Sequence, residues 1–340
     1  MNRIQQLNKY KKTLIELQKI PEIPQRTNDW YNTRNSLITA SDFGQALNCR
    51  KFGSQKEFII KKVEAYSYTD TQRKIELSKY TNNSNPAMQW GIKYEEVAMN
   101  IYADRNNLKM FEFGLIKHPS ISFIGASPDA ISELGIMLEI KCPYKRKITG
   151  EVPEQYYYQI QGQLEVCDLD ECDYLECNIK QYKTEDEFIN DIPNDNIVNT
   201  LHLTHNYNEK GIIIQYRNSD DDPLKYLYSP HNISPQDAIK WKNEIITNFD
   251  VFTYFNVDYW YLVEYHCKRI LRDRDFFNSI LLNLNFLWEK INYFRKNNAI
   301  FQKNIVNSKK RKIIYDFSYN NIYIHDDINI NGFAIQNNNE

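Results

Sequence analysis

Three short apolar runs between residues 110 and 142 constrain the fold of this chain more than any other feature of its sequence. The runs MFEFGLIKH, SFIGA and IMLEIKC are broken by Pro, Ser and Gly, which predicts short β-strands joined by turns. A long helix is predicted to begin at Pro86 before them, and a second helix over residues 154–167 and the strand-like run DYLECNIKQY follow them. This order of elements predicts an α/β fold with a central mixed sheet flanked by helices.

The flanking sequence predicts further helices on both sides of this core. Apolar residues at helical spacing predict helices over residues 2–20 and 273–296, and Ser54 and Glu57 form a capping box. Polar, Asn-rich sequence with a basic cluster at residues 309–312 begins at about residue 298. Because no repeat or Pro-rich linker interrupts the chain, we predict an N-terminal helical extension (1–25), one elaborated domain (26–297) and a C-terminal tail (298–340).

Charge and cysteine content exclude several classes of function. The net charge of −2 excludes nucleic-acid binding through overall positive charge, although a local basic groove remains compatible with it. The six cysteines lack CxxC or Cys/His spacing, so we expect reduced thiols and no zinc site. The sequence contains no apolar run long enough for a membrane span, and the start MNRIQQLNKYKK lacks the apolar core of a secretory signal. We therefore expect an intracellular protein.

The motif that suggests chemistry is Ser127-Pro128-Asp129, followed after nine residues by Glu139-Ile140-Lys141. In a strand, alternation places Glu139 and Lys141 on one face and Ile140 on the other. Asp129, at the preceding turn, can reach that face because adjacent strands lie about 4.8 Å apart. Two carboxylates favour Mg²⁺ or Mn²⁺, and a neighbouring lysine can orient a water, which are the requirements of phosphodiester hydrolysis.

The same three residues also have a purely structural interpretation. Glu139 and Lys141 would then lie on a solvated strand face, and Asp129 would cap a turn, as Pro-Asp pairs commonly do. The spacing alone does not decide between the two interpretations.

Further motifs, in chain order, resemble those of a known nuclease family. They are WYNTR (30–34), ITAS (38–41), WGIKYE (90–95), SPD (127–129), LEIKCP (138–143) and QIQ (159–161). Together they resemble the lambda exonuclease family, also described as YqaJ-like viral recombinases, within the PD-(D/E)xK nuclease superfamily. The resemblance covers residues 26–180 well and extends weakly to about 290, and it implies a restriction-endonuclease-like core.

The resemblance implies a metal centre that binds Mg²⁺ or Mn²⁺, with two ions in the site. Asp129, Glu139 and the backbone carbonyl of Ile140 would bind metal, Glu95 would help to bind a second ion, and Lys141 would handle the water. Without the resemblance, Glu95 would be interpreted as an exposed helix carboxylate beside Glu96. Ala130 stands where the family usually has glycine, a small change that leaves Asp129 in place.

The resemblance also implies a DNA-binding side to this site. Arg34 and Ser41 match positions that hold a 5′-terminal phosphate, although Arg34 alone would be one surface arginine among many. Ser127, Gln159 and Gln161 are assigned to the same DNA-binding group. Gln161 matches a glutamine of the same helix in the family and is therefore ranked above Gln159 and Gln163. The three glutamines, at i, i+2 and i+4, cannot all face the site.

Two other clusters have less specific interpretations. Lys145, Arg146 and Lys147 follow the catalytic strand and either contact phosphates or form a solvated loop. The aromatic residues of 251–265 are interpreted as core rather than as a base-stacking surface.

The expected function is a 5′-to-3′ exonuclease that digests duplex DNA and leaves 3′ single strands for recombination or repair. The alternatives are an endonuclease or structure-specific nuclease with the same chemistry, and a non-catalytic DNA-binding scaffold. A single-strand annealing protein is an expected partner, and the host cytoplasm or a viral replication site is the expected location. The family forms ring-shaped trimers, but the long C-terminal addition puts a homo-oligomer of that kind in doubt.

Overall fold

The structure is a computed structural model that describes residues 2–23, 27–49, 53–67, 72, 85–194, 201–219, 224–248 and 254–303. The tail beyond residue 303, with its basic cluster, lies outside the described residues, as do the first residues of the aromatic run and most of the polar segment 67–85.

Helices and strands alternate along the described chain much as the sequence predicts. The helices are α1 (Arg3–Gln18), α2 (Asn28–Asn35), α3 (Phe43–Ala46), α4 (Gln55–Tyr66), α5 (Pro86–Asn106), α6 (Glu154–Cys167), α7 (Glu185–Asn190), α8 (Pro235–Asn248) and α9 (Arg274–Lys296). The strands are β1 (Ile38–Thr39), β2 (Met110–Phe111), β3 (Ile116–Lys117), β4 (Ile124–Ala126), β5 (Ala130–Ser132), β6 (Met137–Lys141), β7 (Glu171–Gln181), β8 (Lys210–Arg217), β9 (Lys225–Tyr228) and β10 (Tyr254–Leu271). A 3-10 turn, Ala40–Asp42, joins β1 to α3. The predicted capping box at Ser54 and Glu57 begins α4.

The central sheet has seven strands in the order β2-β5-β6-β7-β10-β8-β9. The pair β6 and β7 is parallel and the other pairs are antiparallel, so the sheet is mixed. Helices α5 and α6 pack on its two faces. The predicted α/β fold with a central mixed sheet flanked by helices is therefore confirmed.

A small second sheet, β1-β4-β3, contains some of the short strands that the sequence predicts between residues 110 and 142. The chain leaves the central sheet between β2 and β3 and returns to it at Ser127-Pro128. Proline has no N–H to donate to a ladder, so a strand cannot continue through this position as a regular central strand. Pro128 thus separates β4 from β5 and leaves Asp129 at the junction.

Two cores lie on opposite faces of the central sheet. One contains Met137 of β6 together with α6 and α9, and the other contains Leu138 and Ile140 together with α5. The alternation of β6 thus places Ile140 on the face opposite Glu139 and Lys141, as its sequence predicts.

Helix α1 packs on the first of these cores. Leu14 and Leu17 are buried in it, and the Tyr10 hydroxyl donates to Glu171 Oε1 at 3.2 Å. The Lys9 ammonium forms an ion pair with Asp170 at 2.9 Å. Apolar burial and ion pairs together fix α1 to the end of α6 and the start of β7. No helix in the described ranges is long and apolar enough to cross a membrane.

Candidate active site

The register between β5 and β6 brings Asp129 to Glu139 and Lys141. Ala130 pairs with Leu138 in this antiparallel ladder, so Asp129 lies beside the next residues of β6. The backbone N–H of Ile140 donates to Asp129 Oδ2 at 2.6 Å, and the Lys141 ammonium donates to Glu139 Oε1. The structure therefore brings the three predicted catalytic residues together at one end of β6.

Glu139 is a fully buried carboxylate whose two oxygens are both hydrogen-bonded. The side-chain amide of Gln159 donates to Oε1 at 2.6 Å, and that of Gln163 donates to Oε2 at 2.7 Å. Hydrogen bonds to each oxygen offset part of the cost of burying this charge and fix the carboxylate orientation. The purely structural interpretation predicts that Glu139 lies on a solvated strand face, and the burial of Glu139 contradicts it.

Gln161 lies elsewhere, and its predicted rank above Gln159 and Gln163 is wrong. Its Nε2 donates to the carbonyl of Leu271 at 2.9 Å, and its Oε1 accepts from the backbone N–H of Asp273 at 2.7 Å. Residues two apart on a helix point in different directions, whereas residues four apart share a face. Gln161 therefore connects the end of β10 to the start of α9 through its buried amide.

Gly162 allows α6 to lie close enough for this arrangement. A Cβ at this position would lie 2.5 Å from Phe43 Cε2 and 2.9 Å from Ala40 Cβ. Without a side chain at Gly162, α6 packs directly on the 3-10 turn and α3. The same contact places the face with Gln159 and Gln163 over Glu139.

The neighbouring carboxylates of Asp129, Glu139 and Glu95 dominate the electrostatics of the site. Burial raises the pKa of Asp129 well above its usual value, and the neighbouring charges of Glu139 and Glu95 raise it further. Burial alone would lower the pKa of Lys141, but Glu139 and Asp129 outweigh it and raise the pKa above the ordinary value. Lys141 is thus held in its charged form, and the site attracts cations.

The predicted metal ligands occupy two neighbouring places. Glu95, Asp129 and Ile140 line a cleft of about 480 Å³, where Glu95 is half-buried rather than an exposed helix carboxylate. Glu139 lies behind this cleft under its two glutamines. Within the described ranges, no three His, Cys, Asp or Glu side chains form a ready metal-binding group. The carboxylate oxygens nevertheless fit the chemistry of Mg²⁺ or Mn²⁺, and the raised pKa of Asp129 is the effect that a cation would relieve.

Arg34 and Ser41 form a second polar centre beside this one. Strands β1 and β4 are parallel, with Thr39 opposite Gly125, so Ser41 and Ser127 both follow the carboxyl ends of adjacent strands. The Arg34 guanidinium donates to Ser41 Oγ at 2.7 Å and stacks over the Trp30 ring at 5.0 Å. The two residues predicted to hold a 5′-phosphate are therefore in direct contact.

Ser127 has the features of a ligand-binding hydroxyl. Its Oγ is buried and has no hydrogen-bond partner among the described residues. Its carbonyl accepts from Gln163 Nε2 at 3.3 Å. An unpaired buried donor is costly, so a bound phosphate or water would satisfy it.

Sequence reasoning missed Asp42 and Lys62, which support the Arg34 centre. Lys62 is buried and donates to the carbonyls of Leu37 at 2.7 Å and Arg34 at 2.9 Å, and to Asp42 Oδ2 at 3.1 Å. Burial lowers the pKa of Lys62 to about 8. Burial would raise the pKa of Asp42, but Lys62 and Arg34 hold it below the usual range. The sequence did contain a signal for this pair, because Lys62 lies one helical turn after Phe58, on the apolar face of α4.

The basic loop after β6 is exposed, as both of its interpretations require. Lys145, Arg146 and Lys147 are all exposed, and Lys145 lies over the Tyr144 ring at 5.2 Å. The part of the aromatic run that the structure describes lies on β10, where Trp260 is buried in the core and Tyr259, Tyr261 and Tyr265 are partly buried.

Solved structures similar to this chain include an alkaline exonuclease. The crystal structure of LHK-Exo from Laribacter hongkongensis is 19% identical, with a TM-score of 0.46, and the match covers 82% of this chain and all of that one. LHK-Exo in complex with dAMP is 20% identical, with a TM-score of 0.45, over 81% of this chain and all of that one.

The sequence also matches a viral relative and a family model. Uncharacterized protein R354 of Acanthamoeba polyphaga mimivirus is 27% identical over 323 residues, which cover 84% of this chain and 56% of the relative. This chain thus spans little more than half the length of that relative. The model of the YqaJ-like viral recombinase domain matches residues 29–170, the segment that contains Arg34, Ser41, Asp129, Glu139 and Lys141. Residues 29–170 of this chain are therefore similar to the YqaJ-like viral recombinase domain.

Proposed function

We propose that this chain is a metal-dependent deoxyribonuclease that degrades duplex DNA from a 5′ end and leaves a 3′ single strand. The observation that carries the proposal is that Asp129, Glu139 and Lys141 meet at the end of β6, while Ser41, in contact with Arg34, follows the strand that pairs with β4 just before Ser127-Pro128-Asp129. The first group supplies the chemistry of hydrolysis, and the second supplies a guanidinium and a hydroxyl for a terminal phosphate.

The protein groups have separate tasks in this proposal. Lys141, charged beside Glu139, orients the attacking water and stabilises negative charge on the phosphate. Gln159 and Gln163 hold Glu139 in one orientation, which limits the reorganisation needed during reaction. Mg²⁺ or Mn²⁺, held by Asp129, Glu139, Glu95 and the Ile140 carbonyl as one or two ions, would supply Lewis-acid stabilisation of the phosphate.

The Arg34 centre favours an end-directed enzyme over an endonuclease. A terminal phosphate carries more negative charge than an internal phosphodiester and presents more free oxygens to a bidentate guanidinium. The Ser127 hydroxyl has no hydrogen-bond partner in the described ranges, follows the strand that pairs with β1, and offers a further donor. The 3′ strands left behind are suitable substrates for a single-strand annealing protein, which we propose as the functional partner.

Digestion of duplexes labelled separately at each 5′ and 3′ end, with and without Mg²⁺, tests this proposal. We expect early release of the 5′ label, late release of the 3′ label and no release in EDTA. Covalently closed circular DNA is the companion substrate and should persist under the same conditions. Rapid nicking of closed circles would replace the exonuclease with an endonuclease, and binding without any cleavage in Mg²⁺ or Mn²⁺ would indicate a scaffold.

A further inference from the structure

A second buried carboxylate, Glu176, lies next to the catalytic strand and has no task in the proposed reaction. It is fully buried on β7, directly opposite Lys141 in the parallel pairing of β6 and β7. Glu176 Oε1 accepts from the Tyr174 hydroxyl at 2.9 Å and from the Arg146 guanidinium. Its Oε2 is buried without a hydrogen-bond partner among the described residues. These hydrogen bonds therefore offset only part of the free-energy cost of burying the Glu176 carboxylate, which suggests that Glu176 has a role beyond stability.

Arg146 connects this carboxylate to the active-site surface. It lies in the exposed basic loop, and 37% of its side chain remains exposed although Glu176 is fully buried. Its guanidinium carbon lies 6.0 Å from the centre of the Tyr156 ring, and the Lys141 ammonium lies 4.9 Å from the same ring centre. The ion pair with Glu176 thus holds one side of the Arg146 guanidinium inward and leaves another side exposed. Arg146 and the catalytic Lys141 both lie against the Tyr156 ring.

The other two cations of the loop are held differently. Neither Lys145 nor Lys147 forms an ion pair with a carboxylate in the described parts of the chain. An anchored planar guanidinium loses less conformational freedom on binding phosphate than a mobile lysine does. Arg146 therefore differs from Lys145 and Lys147 in being held in one position, whereas the two lysines add only positive charge to the loop.

We propose that Arg146 binds a DNA phosphate next to the one being cleaved, and that Glu176 is the positioning residue that holds its guanidinium there. The inference rests on the proposed nuclease function and assigns a substrate contact within it. A purely structural ion pair would serve only to neutralise Glu176, and its loss would change stability alone.

Arg146→Gln tests the phosphate contact, with Arg105→Gln as a matched control. Arg105 also pairs with a glutamate, Glu209, and stacks on an aromatic ring, with 34% of its side chain exposed. It lies ten residues beyond Glu95 on α5, about 15 Å along the helix axis. Duplex binding is measured in EDTA over a series of salt concentrations, and cleavage is measured in Mg²⁺.

For Arg146→Gln we expect weaker binding, with a plot of log affinity against log salt shallower by about one unit, because one phosphate contact is lost. We also expect kcat/KM to fall roughly tenfold to a hundredfold, as a mispositioned phosphate implies. Arg105→Gln should match the wild type in both measurements. Equal salt slopes and equal kcat/KM for the two variants would overturn the assignment.

Glu176→Gln tests the positioning role through the split between binding and turnover. The variant keeps the arginine charge and removes the opposing one, so DNA affinity should be unchanged or higher while kcat falls. A lower melting temperature with unchanged kcat and affinity would show that Glu176 is only structural. If Glu176→Gln does not fold, the Arg146→Gln result decides the proposal.

These outcomes are distinct from a failure of the nuclease proposal. If the wild-type protein cleaves DNA and Arg146→Gln behaves like Arg105→Gln, only the assignment of Arg146 fails. If the wild type neither binds nor cleaves duplex DNA, the proposed function itself fails and the assignment fails with it.

Discussion

Replacing Gln163 by methionine should slow the reaction with little loss of stability. The change keeps the side-chain volume but removes the amide that donates to Glu139 Oε2 at 2.7 Å and to the Ser127 carbonyl at 3.3 Å. Losing a hydrogen bond to a charged group costs about 1.5–3 kcal/mol, and losing one to a neutral group costs about 0.5–1.5 kcal/mol. However, Gln163 Oε1 is itself buried without a partner among the described residues. Removing that atom returns about 1–3 kcal/mol, so the net loss of unfolding free energy should be about 1 kcal/mol.

The effect on turnover should be larger, because Glu139 loses the donor that fixes one of its oxygens. We expect kcat to fall roughly tenfold to a hundredfold, the usual result of a small misplacement in an active site. The assay is single-turnover digestion of a 5′-phosphorylated duplex in saturating Mg²⁺, with urea unfolding of the same preparations.

Gln161→Met is the matched control and should show the opposite pattern. This change removes two hydrogen bonds, one to the Leu271 carbonyl and one from the Asp273 N–H. Their loss should cost about 1–3 kcal/mol of stability, since one such hydrogen bond contributes about 0.5–1.5 kcal/mol. Its kcat should stay near the wild-type value. A drop in kcat for Gln161→Met without loss of stability, or normal kcat for Gln163→Met, would refute the reasoning.

Three further changes test the neighbouring parts of the site. Arg34→Ala should abolish any preference for 5′-phosphorylated over 5′-hydroxyl ends, and an unchanged preference would exclude Arg34 as the phosphate ligand. Glu95→Gln should raise the Mg²⁺ concentration for half-maximal cleavage at least about tenfold if it is a metal ligand; an unchanged titration would count against that role. Asp42→Asn should destabilise the protein by about 3–5 kcal/mol at pH 7, because it leaves the buried Lys62 ammonium without its counter-charge.

The pH dependence of that last change has a definite sign. The folded-state pKa of Asp42 lies below its usual value of 3.8, so its carboxylate contributes stability above that pH and loses it as pH falls further. The stability difference between wild type and Asp42→Asn should therefore shrink as the pH falls from about 4 towards 2. A difference that stays constant over this range in urea unfolding would contradict the assigned ion pair.

The alternating and helical patterns in the sequence predict most of the elements around the site. Glu139 and Lys141 share a face of β6 and Ile140 lies on the other, because alternation follows from backbone geometry alone. The helix over residues 154–167 is also confirmed, with the predicted bounds.

Contacts between distant segments are what the sequence did not reveal. The resemblance pointed to Gln161, whereas helical spacing alone groups Gln159 with Gln163, and the observed contacts follow the spacing. The ion pair of Asp42 and Lys62 depends on how α4 packs against the 3-10 turn, which no local pattern encodes. The division of the apolar runs into two sheets depends on tertiary packing around Pro128.

The most direct test of the central claim is the effect of Lys141→Ala on cleavage and on DNA binding, measured with the wild type prepared in parallel. The hydrolytic assignment predicts that the variant keeps duplex binding in EDTA, remains folded, and loses about a hundredfold or more of the single-turnover cleavage rate in Mg²⁺. Equal cleavage rates in the two preparations would contradict the assignment of Asp129, Glu139 and Lys141 as the active site.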